Sequence, residues 1–248
     1  MDVDGKNNLR ITNDNSINLG PDWSPDGTKL AFSSYKTGYP ELFVADLKTQ
    51  QIHQLTDNKT LNIAPRWSSN GKKIFFTSSV TEDPELWEIR LDGILTKQLT
   101  QTRGVDISPT LSPGGKEIIF SSERAGHLHL FRRPIYGGRK ETRRLTFVGI
   151  HNDTSDWSPD GSRIVFCSQD RGHFDIFVMN ADGSFIQRLT RNAGDNEHPR
   201  WSPDGRFIVF SSTRSGGPAI YMMRFDGENV RRISKGNGIL PAWSGWIE

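Results

Sequence analysis

The sequence has 248 residues, with 31 Lys and Arg against 29 Asp and Glu, for a formal net charge of +2. That balance argues against a duplex-binding protein relying on a strongly basic face, and no apolar run approaches the roughly 18 residues of a membrane span. The single cysteine, Cys167, excludes an internal disulfide and a cysteine-rich zinc cage, and 24 Gly, 13 Pro and 10% aromatic residues leave a turn-rich, all-β chain. The opening MDVDGKNNLR carries neither the basic flank nor the apolar stretch of a signal peptide.

A repeat organises the rest. Trp23, Trp67, Leu111, Trp157, Trp201 and Trp243 stand 44, 44, 46, 44 and 42 residues apart, each followed by serine. Trp-Ser-Pro-Asp-Gly occurs at 23–27, 157–161 and 201–205, with variants at 67–71 and 111–115. The glycine ending this turn supplies a positive φ without a Cβ clash. Alternating apolar pairs follow, Leu30/Phe32, Ile74/Phe76, Ile118/Phe120, Ile164/Phe166 and Ile208/Phe210, which predict a strand with one buried face. A second apolar strand, a second turn and a last strand complete each unit, ending in Leu-Thr as at Leu55-Thr56 and Leu189-Thr190, with Ile233-Ser234 as the variant.

Four short strands in about 44 residues predict a propeller blade, because a lone four-stranded sheet cannot bury both faces. Five complete units run over 21–56, 65–100, 109–146, 155–190 and 199–234. Gly5, Ile11 and Thr12 fit the end of a further unit, and Pro241-Ala-Trp-Ser244 fits its first strand. The expectation is therefore one domain over 1–248, an all-β six-bladed propeller of four-stranded antiparallel blades. Its sixth blade would be built from 241–248 with 1–12. That blade lacks 16 positions, as though the chain began inside a longer parent.

The Trp-Ser-Pro-Asp-Gly phrase, the Met-Asn-Ala-Asp-Gly turn at 179–183, the Arg-Arg-Leu-Thr ending at 143–146 and the close at Leu240-Pro-Ala-Trp-Ser244 resemble the TolB propeller family over essentially the whole chain. The resemblance implies a non-enzymatic periplasmic scaffold without a cofactor. Such a scaffold binds the peptidoglycan-associated lipoprotein, Pal, in maintaining cell-envelope integrity. Related blades in tricorn-type and prolyl-oligopeptidase-type proteases leave a substrate-gating propeller as an alternative, and lyase-type or lactonase-type propellers leave an enzyme with a channel metal.

Residue chemistry points away from catalysis. No serine lies in a Gly-x-Ser-x-Gly elbow, and His-Glu-x-x-His and phosphate-loop motifs are absent. Cys167 reads as a small strand residue, and the His127-x-His129 pair as an ordinary loop without a third ligand. The expected site therefore has no catalytic residue and no metal.

Loops joining each fourth strand to the next first strand vary, whereas the opposite Asp-Gly turns are uniform. Variable loops on a rigid scaffold are where binding usually resides. These loops carry Asn18, Asp106, Ile107, Asp153, Glu197 and His198, a mix of apolar and acidic groups suited to a protein partner. The family resemblance adds Leu61, Asn62, Ala64 and Ile107 as Pal contacts; Ala64 matches the family's residue, while Leu61 replaces a histidine and Ile107 a threonine. The expected partner is a Pal-like lipoprotein bound by a monomer, with no nucleic acid and no membrane insertion.

Overall fold

The Ser, Asp and Gly of the recurring phrase bond to one another locally. The serine hydroxyl donates to the Asp two residues on, from Ser24 to Asp26 at 2.6 Å, Ser158 to Asp160 at 2.5 Å and Ser202 to Asp204 at 2.6 Å. It also accepts the backbone N–H five residues on, which closes the turn, as for Lys29, Arg163 and Phe207 at 2.9 Å each. Glycine follows at positive φ, +68° at Gly27 and +72° at Gly161. These hydrogen bonds favour the ionised carboxyl, so Asp26 and Asp160 are held down to about 2.

The computed structural model describes residues 4, 6, 9–170, 172–191 and 193–244. Its first sheet comprises β1 (Asn18–Trp23), β2 (Lys29–Ser34), β3 (Glu41–Asp46) and β4 (Gln51–Gln54). The second holds β5 (Asn62–Trp67), β6 (Lys73–Ser78), β7 (Glu85–Arg90) and β8 (Leu95–Gln98). The third holds β9 (Asp106–Leu111), β10 (Glu117–Ser122), β11 (His129–Pro134) and β12 (Arg143–Arg144). The fourth holds β13 (His151–Trp157), β14 (Arg163–Asp170), β15 (His173–Asn180) and β16 (Gln187–Arg188), and the fifth β17 (Asn196–Trp201), β18 (Phe207–Ser212), β19 (Ala219–Arg224) and β20 (Arg231–Arg232). In every sheet the strands pair antiparallel in chain order. A 3-10 turn at Arg139–Glu141 takes up the two extra residues of the third unit.

The structure is thus a five-bladed propeller, which corrects the expectation of six. Residues 9–17 and 233–244 carry no strand. Neither terminal piece has the two middle strands with which it would pair, so no ladder forms. Gly5 and residues 245–248, assigned to that blade on sequence grounds, lie outside the described residues. The terminal pieces instead cover the end blades. Ile11 packs with Leu30, Phe32, Phe43 and Ala45 of the first blade, and Trp243 packs with Val209, Ile220, Met222 and Ile233 of the fifth.

The core lies between blades. Trp67 joins Ala31, Leu42 and Val44 of the preceding blade to Ile74 and Phe76 of its own. Trp157 does the same against Ile119 and Leu130, and Trp201 against Val165, Ile176 and Val178. The tryptophan repeat therefore supplies inter-blade packing. Among the described residues no helix is long and apolar enough to cross a membrane.

Candidate functional site

The first strands β1, β5, β9, β13 and β17 contact one another in sequence and line the axis. Each carries a bulge. Three residues before the repeat position the backbone turns left-handed, at Gly20 (φ 58°), Ala64 (55°), Ser108 (54°), Thr154 (46°) and His198 (55°). Pairing with the second strand shifts register there in every blade. A bulge adds one residue and so reverses which side chains face inward. Asn62, Asp106, Asn152 and Asn196 consequently turn into the core, while Leu19, Ile63, Ile107, Asp153 and Glu197 are half-buried around the channel mouth.

The core-facing residues clip neighbouring blades together. The threonine that ends each Leu-Thr accepts a backbone N–H of its own third strand, as Thr56 does from Leu42 and Thr190 from Ile176, both at 2.9 Å. It donates to a buried acid, Thr56 to Glu41 at 2.5 Å and Thr190 to Asp175 at 2.6 Å. The next blade's asparagine donates to the same acid, Asn62 to Glu41 at 2.9 Å and Asn196 to Asp175 at 3.2 Å. Buried carboxylates are tolerated here because donors surround them. His129 replaces the acid in the third blade. It is buried against Thr146 and Asn152 rather than exposed in a loop, and burial lowers its pKa.

One junction breaks the pattern. At Asp106 an acid replaces the asparagine, and it cannot donate to Glu85. Asp106 Oδ1 and Glu85 Oε2 are both buried without a hydrogen-bond partner, and burial, with Asp106 adding to it, raises the Glu85 pKa. Arg124 holds the other Asp106 oxygen at 2.6 Å, as Arg214 holds Asn196 Oδ1 at 2.7 Å. Asp106→Asn would reproduce the Asn196 arrangement and supply the missing donor. It is expected to stabilise the fold by about 1 kcal/mol at pH 7.5; a lower urea midpoint for the variant would show that the acid pair is already satisfied.

One pleat deeper, Asp22, Arg66, Asp156 and Arg200 gather on the axis from four blades. Arg66 lies 3.6 Å from Asp22, and Arg200 lies 3.6 Å from Asp156 and 4.0 Å from Asp22. The carboxylates also accept the Trp67 N–H at 2.8 Å and the Trp201 N–H at 2.9 Å. Burial pushes Asp22 up to about 6 and Asp156 up to about 7, against the pull of Arg66. This group escaped the sequence reading, although it is visible as the residue before each tryptophan.

At the mouth, Ser121 donates to Asp153 at 2.7 Å, and His198 Nδ1 lies 3.2 Å from Ser211 Oγ. Burial, with Asp195 and Asp153 adding to it, raises Glu197, while burial lowers His198. Cys167 is buried with Thr154 Oγ1 3.0 Å from its sulfur, and burial raises its thiol pKa well above the ordinary range. Leu61 and Ala64 flank Ile63 at the mouth and are half-buried. Asn18 reaches back to Thr12 and Asp14 at 3.2 and 3.1 Å and ties down the N-terminal piece. Asn18, Asn62 and Asp106 therefore support the mouth from beneath, whereas Leu61, Ala64, Ile107, Asp153, Glu197 and His198 border it. Among the described residues no three His, Cys, Asp or Glu side chains are placed to hold a metal ion. The sequence reading also passed over Phe147, Val148 and Ile150, all exposed in the loop between the third and fourth blades.

The TolB β-propeller domain profile matches residues 1–176 and 150–245. A stretch of 51 residues is 43% identical to the Tol-Pal system protein TolB of Roseobacter denitrificans, covering 21% of this chain and 12% of the relative. Another of 46 residues is 50% identical to the TolB of Desulfosudis oleivorans, covering 18% of this chain and 10% of that protein. The crystal structure of TolB from Acinetobacter baumannii superposes with a TM-score of 0.88 at 28% identity, over 98% of this chain and 61% of that one. The chain thus spans less than two thirds of the length of these relatives. With the repeat, the blade geometry and the profile match in accord along the chain, it belongs to the TolB β-propeller family.

Proposed function

We propose that this chain is a non-catalytic, monomeric, protein-binding scaffold of the Tol-Pal system. It works in the periplasm and takes a Pal-type lipoprotein on the face that bears the loops between blades. The observation that carries this reading is the ring at the channel mouth. Leu19, Ile63 and Ile107 present half-buried apolar groups beside the acidic Asp153 and Glu197, on strands whose bulges recur in every blade. Preorganised apolar anchors with a polar border are what a protein interface requires. The polar axis below supports surface recognition over passage of a substrate, since the side chains of Arg66, Asp22, Arg200 and Asp156 occupy the channel.

Calorimetric titration with the soluble domain of a Pal-type lipoprotein tests the reading. Leu61, Ile63, Ala64 and Ile107 supply the apolar contacts, with Asp153, Glu197 and His198 on the far side of the mouth. Ile63→Asp and Ile107→Asp are expected to weaken binding by about 1–2 kcal/mol each without lowering the melting temperature. Lys72→Ala and Ser162→Ala, beside the Asp-Gly turns on the opposite face, should leave it unchanged. Loss of binding in the turn variants but not in the mouth variants would put the interface on the wrong face.

A further inference from the structure

The loop from the third to the fourth blade departs from its counterparts. After the Leu-Thr ending, or Ile233-Ser234 in the fifth blade, the other loops read Asp57-Asn-Lys-Thr60, Gln101-Thr-Arg-Gly104, Arg191-Asn-Ala-Gly194 and Lys235-Gly-Asn-Gly238. This one reads Phe147-Val-Gly-Ile150, and its three apolar side chains are 71%, 63% and 60% exposed.

The loop is held in place. The buried Asn152 donates to the Val148 carbonyl at 3.1 Å, and its own N–H donates to Leu128 O at 2.8 Å. Arg144 donates through Nε to Thr146 O at 2.6 Å and lies 4.9 Å over the Phe147 ring. Gly149 sits at φ +75°, where a Cβ would come within 2.7 Å of Ser168 Oγ. Three apolar groups are therefore fixed in water, which lowers the ordering cost of burying them against a partner.

The geometry points to a preformed apolar knob, Phe147, Val148 and Ile150, that docks into a carboxylate-edged apolar socket on the Pal-type partner, beside the channel mouth. The proposal rests on the reading of the preceding subsection. Charge and continuity select this occupant. The cations beside the knob are Arg144, over the Phe147 ring, and its chain neighbour Arg143. The acids facing it are Asp153, 4.0 Å from His151, and Asp195, 3.5 Å from His173. Strand β13 carries both His151 and the mouth residue Asp153, so knob and mouth form one continuous surface. An anionic bilayer would meet the acidic mouth, with Asp153, Asp195 and Glu197, as it met the knob.

The test titrates the soluble Pal-type domain against the full chain, the double variant Phe147→Ser/Ile150→Ser, and Phe185→Ser. Phe185 is 85% exposed on the opposite face and controls for removing an exposed aromatic. The double variant is expected to bind about tenfold more weakly at unchanged melting temperature, and Phe185→Ser to bind as the parent does. Binding lost in Ile63→Asp but intact in the double variant would overturn the knob and leave the mouth standing. No binding by the parent chain would overturn both. Sedimentation with phosphatidylglycerol vesicles, or concentration-dependent dimerisation, present in the parent and abolished in the double variant, would assign the knob to a lipid surface or a second copy and also overturn the proposal.

Discussion

Trp201→Ala is expected to lower the unfolding free energy by about 3–5 kcal/mol, the range for truncating a large buried aromatic. The indole sits between blades, against Val165, Cys167, Ile176 and Val178 on one side and Ile208 and Phe210 on the other. A cavity there takes the place of the largest side chain of the cluster that joins the fourth and fifth blades. The neighbouring sheets cannot close the gap easily, because each is pinned by its Thr–acid–Asn clip, here Thr190, Asp175 and Asn196. The loss should appear as a lower urea midpoint. Trp201→Phe, which keeps part of the ring volume, should lose less. Wild-type stability accompanied by weaker partner binding would mean that Trp201 serves recognition rather than packing.

Local chemistry made much of the fold legible. The Ser, Asp and Gly of the repeat phrase bond within one turn, so a short stretch of sequence specifies the whole feature. The Phe32/Phe43 and Phe166/Phe177 pairs, with ring centroids 6.0 and 5.7 Å apart, follow from the same alternation. The blade count misled because phase is not pairing. Leu240 has the left-handed φ of its counterparts, 56°, yet a strand without a neighbour forms no sheet. The mouth was half legible for a related reason. Strict alternation from Trp67 back to Asn62 puts the asparagine outward, and the bulge at Ala64 reverses it, so Ile63 faces the mouth and Asn62 enters the core. Of the residues at the bulge only Gly20 is a glycine, and nothing in Ala64, Ser108, Thr154 or His198 announces a positive φ. The acid of the clip was unreadable for another reason. Glu41 and Glu85 begin strands, Asp175 lies two residues into β15, and all three look like exposed edge charges until Asn62, Asp106 or Asn196 of the next blade is placed against them.

The charged group on the axis makes the second large prediction one of pH. Asp156 titrates near 7 and Asp22 near 6 in the folded chain, against an ordinary carboxyl value near 3.8 once unfolded. Between roughly pH 4 and 7 the folded state therefore binds more protons than the unfolded state, and these two groups stabilise the fold as pH falls through that window. The buried His129 and the half-buried His198, both held below their ordinary values by desolvation, act in the opposite sense below about pH 6.5. A variant isolates the acid. Asn in place of Asp156 keeps an acceptor for the Trp201 N–H, now at 2.9 Å from Oδ2, and resembles the protonated acid. Asp156→Asn should match the parent near pH 4 and gain on it up to about pH 7, by about 1–3 kcal/mol, then hold that gain, because through this window only the parent's unfolded state is stabilised by ionising while burial keeps the folded acid protonated. Urea midpoints at pH 4, 5, 6, 7 and 8 measure the difference directly. If the parent instead gains on the variant with rising pH, Arg66 and Arg200 hold Asp156 ionised more strongly than burial opposes it, and the axis is an ion pair rather than a protonated plug.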